Sequence, residues 1–412
     1  MRNLRLQRIT TNYPVYIQQF YARNPDLGSQ PYAVQHAALM ADCYGWADFW
    51  SVALSRLGYE TDEVVVNAEA MQKRWAEENG VTYCDADYLL KIAAAQVKAF
   101  QPDILFINDY VTFTAAFLRQ LKSECRSIRL VLGWCGAPYN DPSVFREYDV
   151  VLTCIPEFVP QFREKGHRCY HINHAFDGRV LGRIDARSSP NVDFSFIGSI
   201  VKLDQFHNER ERLLVDLVKA TGLRIRSDVP RALPREDRRI TVRQWAYDAV
   251  QMAQRVGIPR TLLSAAPFVR KVTRWEARPS LSHNIDRRIA RRARPPVFGL
   301  AMFQQLHDSR VALNTHIDAS PVSASNMRLY EATGVGTCLL TDWKANLAEL
   351  FEPDVEVVTY RNSKEAIEKV RYLLGHESER RAIAAAGQRR TLRDHTFDRR
   401  AEQLDAIIRE NI

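Results

Sequence analysis

No stretch of the chain approaches the ~20 consecutive apolar residues that carry a helix across a bilayer. The opening MRNLRLQRITTNYP has positive charge but no apolar run, so it does not read as a secretory signal. Cysteine is sparse and scattered: seven in 412 residues, with no C-x-x-C pair. That excludes a disulfide framework and a zinc knuckle, and it suits a reducing cytosol. Low-complexity tracts and short internal repeats are lacking too. What remains is a globular, cytoplasmic chain, long enough for two or three domains and apolar enough for each half to bury a core.

Acidic residues are scarce in one place. Between residues 231 and 295 sixteen Lys and Arg face five Asp and Glu. This surplus of eleven exceeds the net +8 of the whole chain, so the remainder is slightly acidic, at −3. The basicity therefore belongs to one segment. Its arginines cluster at 235–243 and 287–294, with Trp245, Tyr247, Val250, Met252, Leu262, Leu263, Phe268, Val269 and Trp275 between them. Two readings stand: contact with an anionic membrane surface, or a helical insertion that packs its apolar residues on its own domain.

Elsewhere short apolar runs alternate with helical patterns. In the first half, strands are expected at 4–10, 63–67, 103–108, 129–132 and 149–153, with helices at 32–57, 68–79, 87–100 and 112–124. After a polar, turn-rich stretch at 182–190 the pattern resumes. Strands are expected at 193–197, 311–314, 337–341 and 355–360, with helices at 208–221, 298–307, 326–333, 346–351, 363–374 and 378–408, the last broken near His395. Such alternation implies parallel sheets covered on both faces. The expected fold is α/β, with two facing, doubly wound Rossmann-like domains over residues 1–175 and 176–412. The basic insertion at about 231–295 lies in the second, and the C-terminal helix is a candidate to cross back to the first. Ligands of such folds bind at the C-terminal edges of the strands, here in the cleft between the sheets.

The stretch 311–342, VALNTHIDASPVSASNMRLYEATGVGTCLLTD, is the most informative. A strand ends at Asn314, a polar loop follows, and Ser325 or Asn326 is a suitable N-cap for the next helix. Arg328 and Glu331 share one face of it. Free N–H groups at the helix start and the forked Arg328 side chain suit a diphosphate. Glu331, about 5 Å further along by helical rise, suits the ribose hydroxyls. The plain alternative is an i,i+3 surface ion pair on a capped helix. Gly198 and Ser199 end the first strand of the second domain, where a glycine lets backbone approach a phosphate. A strand-end turn is the alternative. His316 is a candidate for the phosphates or the transferred sugar, against a structural role.

Resemblance adds to this. NMRLYEATGVGTCLLTDWKANLAELFEPDVEVVTY, continuing to IAAAGQRRTLRDHTFDRRAEQL, resembles the C-terminal domain of the CgeB-like glycosyltransferases, found among bacterial surface-polysaccharide and protein-glycosylating enzymes. R-x-x-E-A-x-x-x-G followed by LLTD, the E-L-F-E-P turn and the A-G-Q…H-T-F ending carry the likeness. DFSFIGSI, YDVVLTCIPEFVPQFREKGH and HAFD are similar more weakly. The resemblance implies a GT-B fold and sugar transfer from a nucleotide-sugar donor to a polysaccharide, lipid-linked or protein acceptor, with no further cofactor. Related enzymes often carry E-x7-E. Glu331 fits the second glutamate, but Ser323 stands at the first, which leaves the anomeric outcome open.

Asp85–Asp87, the DAD triplet, precedes a long helix, so Asp85 or Asp87 reads as an N-cap and not as a metal ligand. Asp109, just after the 103–108 strand, is the candidate to accept the acceptor hydroxyl's proton; a turn cap is the alternative. His174 sits at the domain junction as a hinge residue, and Tyr13 is placed to shape an acceptor pocket. Two other functions compete with sugar transfer. One is a nucleotide-sugar epimerase of similar form. The other is a nucleic-acid-binding protein using the basic segment, although that segment lacks sheet aromatics and zinc-finger spacing.

Overall fold

The computed structural model describes residues 3–201, 206–229, 234–255, 269, 272 and 285–412, with the side chains of 234–241, 251, 254 and 255 set aside. Among the described residues twelve parallel strands form two sheets. The first contains β1 (Arg5–Thr10), β2 (Glu60–Val65), β3 (Ile104–Ile107), β4 (Leu130–Trp134), β5 (Val150–Thr153) and β6 (Cys169–His171), in the order β2-β1-β3-β4-β5-β6. The second contains β7 (Val192–Ile197), β8 (Arg224–Arg226), β9 (Ala293–Arg294), β10 (Ser309–Asn314), β11 (Cys338–Asp342) and β12 (Val358–Tyr360), in the order β12-β11-β10-β7-β8-β9. Apolar runs such as Ile104–Ile107 are buried along their whole length because helices cover both faces. This is the two-domain, Rossmann-like architecture expected from the alternating pattern.

Each sheet has one switch point, where strand order reverses. It lies between β1 and β3 in the first sheet and between β7 and β10 in the second. The connections leave these neighbours in opposite directions and open a crevice at the strand C-termini.

The sequence pattern at 32–57 reads as one helix, but the chain forms two, Tyr32–Ala41 and Phe49–Ser55. Between them Cys43, Gly45 and Ala47 all have positive φ, at 56°, 62° and 40°. Two are non-glycine residues in a left-handed conformation that L-residues seldom adopt, so neighbouring structure must impose it. Arg8 does part of this. Its guanidinium donates to the Ala47 carbonyl at 2.7 Å, pairs with Glu63 at 2.6 Å and lies over the Trp46 ring. Arg8 and Glu63 face each other in the β1–β2 register, and both are buried. Ser51 completes the cluster by donating to Glu63 at 2.7 Å.

The loop thus held carries the domain contact. The Leu300 N–H donates to the Asp42 carbonyl at 2.8 Å, and Phe298 packs edge-on against Tyr16 and Tyr44. Gly299 is required between them. Its φ is +56°, and a Cβ there would lie 2.4 Å from the Asp42 oxygen. At the far side the chain crosses back. The stretch 378–408 breaks at His395 as expected, into the helices Glu377–Asp394 and Phe397–Asn411. The second packs on the helix Phe49–Ser55, with Phe397 against Phe49 and Trp50, Arg56 on Asp398 at 2.5 Å, and the Tyr59 hydroxyl on Asp405 at 2.6 Å.

Several elements stand where the sequence pattern sets none: the helices Pro14–Arg23 and Phe158–Glu164, and the short strands β6, β8 and β9. Within the basic segment, Pro234–Arg255 is a helix, while Arg287–Arg292 and β9 belong to the second sheet and its cover. Leu262, Leu263, Phe268 and Trp275 lie outside the described residues.

Glu63→Ala leaves Arg8 buried without its partner, so it should cost about 3–5 kcal/mol in urea unfolding. Arg8→Met combined with Glu63→Leu should recover most of that loss. If the double variant is no more stable than Glu63→Ala, packing and not charge sets the cost.

Candidate functional site

At the second switch point the loops after β7 and β10 are tied together by Arg210, on the helix Asn208–Ala220. It donates to the Ser199 carbonyl and to the Thr315 carbonyl, each at 2.7 Å. Burial pushes its pKa down to about 10, with Asp342 opposing the shift, so it is charged at neutral pH. Gly198 and Ser199 are half-buried at the mouth of this crevice.

His316 lies one residue further along the β10 loop, and its side chain is closed off from solvent. Its backbone N–H faces the Asp342 carboxylate, and its Nδ1 is 2.7 Å from Asp342 Oδ1. Burial acts to raise the Asp342 carboxyl, but His316 and the Lys344 ammonium outweigh it and hold the carboxyl at about 2. Asp342 is therefore ionised and faces His316 Nδ1 as an acceptor. As folded, this histidine braces the loop, and direct contact with a ligand would require it to move. This is the structural role set against ligand contact for this residue. Lys344 also donates to the Ser320 and Pro321 carbonyls at 2.8 and 3.0 Å.

The next helix is Arg328–Gly334, two residues shorter at its start than the sequence suggests. Met327 takes the cap position, so neither Ser325 nor Asn326 caps it. Instead the Asn326 amide donates to Asn314 Oδ1 at 2.7 Å and to the Thr315 carbonyl at 3.2 Å, which fixes the loop to β10. Among the described residues the N–H groups of Ser325, Asn326 and Met327 have no hydrogen-bond partner. Arg328 and Glu331 form the expected i,i+3 pair at 2.8 Å, but it is largely buried and not a surface pair. Burial raises the Glu331 carboxyl, and Arg328 opposes the shift. Gly336, at φ +82°, turns the chain into β11. Gly334 lies against Phe176, where a Cβ would come within 2.4 Å of the ring.

The first domain contributes across the interface. The negative charge of Glu331 reaches the Tyr44 hydroxyl and helps, behind burial, to push its pKa up. Tyr44 stacks on Tyr16 at 3.7 Å, and Tyr13 leans edge-on against it with an exposed ring. Glu157 accepts from the Ser323 N–H at 3.0 Å, so a carboxylate stands beside Ser323 although none is present in the local sequence. At the first switch point Asp109 accepts from the Thr11 hydroxyl at 2.6 Å and from the Val111 and Thr112 N–H groups at 2.8 and 3.0 Å. This is the geometry of a turn closure. His174 is buried between Trp46 and Trp134, and burial drives its pKa down to about 3. Asp87 holds the cap position before the helix Tyr88–Phe100 but accepts from the Cys84 N–H instead of a helical one, and Asp85 pairs with Lys73 at 2.7 Å.

The structure therefore gathers Gly198, Ser199, His316, Ser325, Asn326, Arg328 and Glu331 along one edge of the second sheet, and it sets Asp109 at the matching edge of the first. Sequence reasoning missed Arg210, Asp342, Lys344, Tyr44 and Glu157. Only Asp342, an acid closing an apolar strand, carried a local signal.

Residues 238–406 match the model of a family described as glycosyl transferase-like. That stretch includes every residue of the second-domain edge except Gly198, Ser199 and Arg210. Comparison with curated proteins finds no match. Solved structures resemble the chain along its length. Sucrose-phosphate synthase from Thermosynechococcus elongatus has a TM-score of 0.52 at 10% identity, covering 99% of both chains. A glycosyltransferase from Rickettsia africae has 0.52 at 10%, covering 100% of this chain and 99% of that one. HepE from Anabaena, solved in complex with UDP and glucose, has 0.51 at 12%, covering 99% and 100%. At these identities the likeness is one of fold.

Asp342 has a depressed pKa, so the stability it supplies is present above the ordinary carboxylate value of 3.8 and is lost as pH falls toward 2. Asp342→Asn should cost roughly 2 kcal/mol at pH 7 and flatten the acid limb of the stability curve between pH 4 and 2. An unchanged acid limb would show that the His316–Asp342–Lys344 cluster is not the one titrating.

Residues 238–406 are thus glycosyl transferase-like, within a chain whose two facing parallel sheets are of the GT-B kind.

Proposed function

We propose that the chain moves a sugar from a nucleotide-sugar held on the second domain to a glycan, lipid-linked or protein acceptor held on the first, and that it is of the CgeB-like kind. The observation that carries the donor reading is the Arg328–Glu331 pair beside the free N–H groups of Ser325, Asn326 and Met327. The N–H groups and Arg328 take the diphosphate, and Ser199 donates to it from the neighbouring loop. Glu331 accepts from the ribose hydroxyls. A related fold, Anabaena HepE, was solved with UDP and glucose, which supports a nucleoside-diphosphate donor. His316 acts from behind, by fixing the loop through Asp342. Asp109 as general base would have to release its contacts to three donors that close the turn. The role adopted here is to hold the Thr11 loop that faces the acceptor. The reading of the enzyme as cytoplasmic is supported by seven cysteines that are all free.

A thermal-shift screen with UDP-, GDP-, dTDP- and CMP-sugars identifies the donor, since a ligand at 100 times its dissociation constant adds ~2.7 kcal/mol. With the donor known, Glu331→Gln and Glu331→Ala should weaken nucleoside-diphosphate binding by ~1.5–3 kcal/mol in calorimetry. Equal affinity in both variants would remove Glu331 from the donor site.

The diphosphate charge is offset here by Arg328 and backbone donors, so the proposal includes transfer without a metal ion. Activity should persist in excess EDTA. Loss with chelator and recovery with Mn²⁺ would overturn that part.

A further inference from the structure

We infer that the helix Pro234–Arg255 docks the protein on an anionic lipid surface through an exposed apolar row. Val242, Trp245, Ala249 and Met252 recur at steps of three and four and so share one helical face. Trp245 is 76% exposed, Met252 66% and Val242 61%. Ala249 is exposed as well, while Val250, one residue on, turns inward and is buried. A Trp, a Met and a Val left in water on one helix are unfavourable unless something covers them.

The charge of the segment that carries the row indicates what covers it. Among the described residues from 242 to 294, Arg243, Arg287, Arg288, Arg291, Arg292 and Arg294 are exposed, against Asp248 as the exposed acid. Such single-sign charge within one segment disfavours pairing with a second copy of it and favours an anionic partner. Aliphatic neighbours on both sides of Trp245 make a poor stacking platform for bases, which need aromatic faces in series. They make a good wedge for the boundary between headgroups and acyl chains, where tryptophan settles and arginine reaches phosphate. No described helix is long and apolar enough to cross a membrane, so the contact is peripheral. The inference does not depend on the donor site. It places a sugar-transferring enzyme beside acceptors that carry a lipid.

Flotation of the full chain with vesicles tests it. The protein should float with vesicles containing phosphatidylglycerol at low salt and stay behind with pure phosphatidylcholine or at high salt. Trp245→Ser with Met252→Ser should weaken the binding at least tenfold. Arg243→Gln, Arg291→Gln and Arg292→Gln together should weaken it by about fivefold for each arginine removed. All these positions are exposed, so melting temperature and nucleotide binding should match the wild type. That separates failure here from failure of the donor reading. Three results would sink the inference: wild-type protein that does not float with phosphatidylglycerol, a serine variant that floats as well as wild type, or a Trp245-dependent dimer or nucleic-acid complex in place of lipid binding.

Discussion

A cation buried at the C-terminal edge of the second sheet fixes the geometry on which the site depends. Placing Arg210 out of water costs several kcal/mol unless its donors are met, and the Ser199 and Thr315 carbonyls meet those of Nη1 and Nη2 at 2.7 Å each, while Nε has no partner among the described residues. Those carbonyls belong to the loops on either side of the switch point. The requirement to satisfy one guanidinium therefore sets the width of the crevice. Further along the edge, His316, Asp342 and Lys344 tie β10 to β11 in the same way, and Tyr360 donates to the Asn314 carbonyl at 2.8 Å to bring in β12. Four strand ends are thus joined by polar contacts lying behind the surface that a ligand would touch.

The first domain solves a related problem with different residues. Its loop at 42–48 needs left-handed backbone at Cys43 and Ala47, a strain that costs of order 1–3 kcal/mol per residue. The Arg8–Glu63 pair under the loop supplies the restraint. That pair links two strands in register, so the loop is referenced to the sheet and not to other loops. The strained loop then presents Asp42 to Leu300 and Tyr44 to Phe298. In both domains buried charge sits one layer beneath the functional surface, an arrangement that preorganises side chains a ligand would meet.

How much of this could be read from the sequence follows from the range of each interaction. Buried parallel strands such as Ile104–Ile107 and Cys338–Asp342 announce themselves as apolar runs. The strands RIR at 224–226 and AR at 293–294 do not, because they are short, lie toward one edge of the sheet with β9 at its rim, and set their arginines at exposed or half-buried positions. The Arg328–Glu331 pair was legible because helical spacing alone brings residues three apart together. Arg210 was not, since its acceptor at Thr315 is 105 residues away and nothing local marks a buried arginine among the exposed charges of its helix. The break after Ala41 was hidden for a similar reason. Cysteine and alanine carry no turn signal, and the left-handed backbone there comes from contacts with β1 and with the second domain. Ser325 and Asn326 looked like caps because their side chains suit that role, yet Asn326 serves β10 instead.

Ser323 shows what such long-range dependence means for the enzyme. Its N–H is received by Glu157, which begins a helix of the other domain, while the adjacent Ala324 N–H is received by Asn346 of its own. The loop leading to Ser325, Asn326 and Met327 is therefore anchored in both domains at successive residues. Separating the domains breaks the Glu157 contact but leaves that of Asn346, so the loop loses one of two adjacent restraints immediately before its free N–H groups. On the donor site proposed above, nucleotide-sugar binding and domain closure would be linked: a ligand that gains from a fixed loop binds better to the closed arrangement and favours it by the same margin. The carboxylate that makes this link comes from a distant part of the chain, at a position where the local sequence has only a serine.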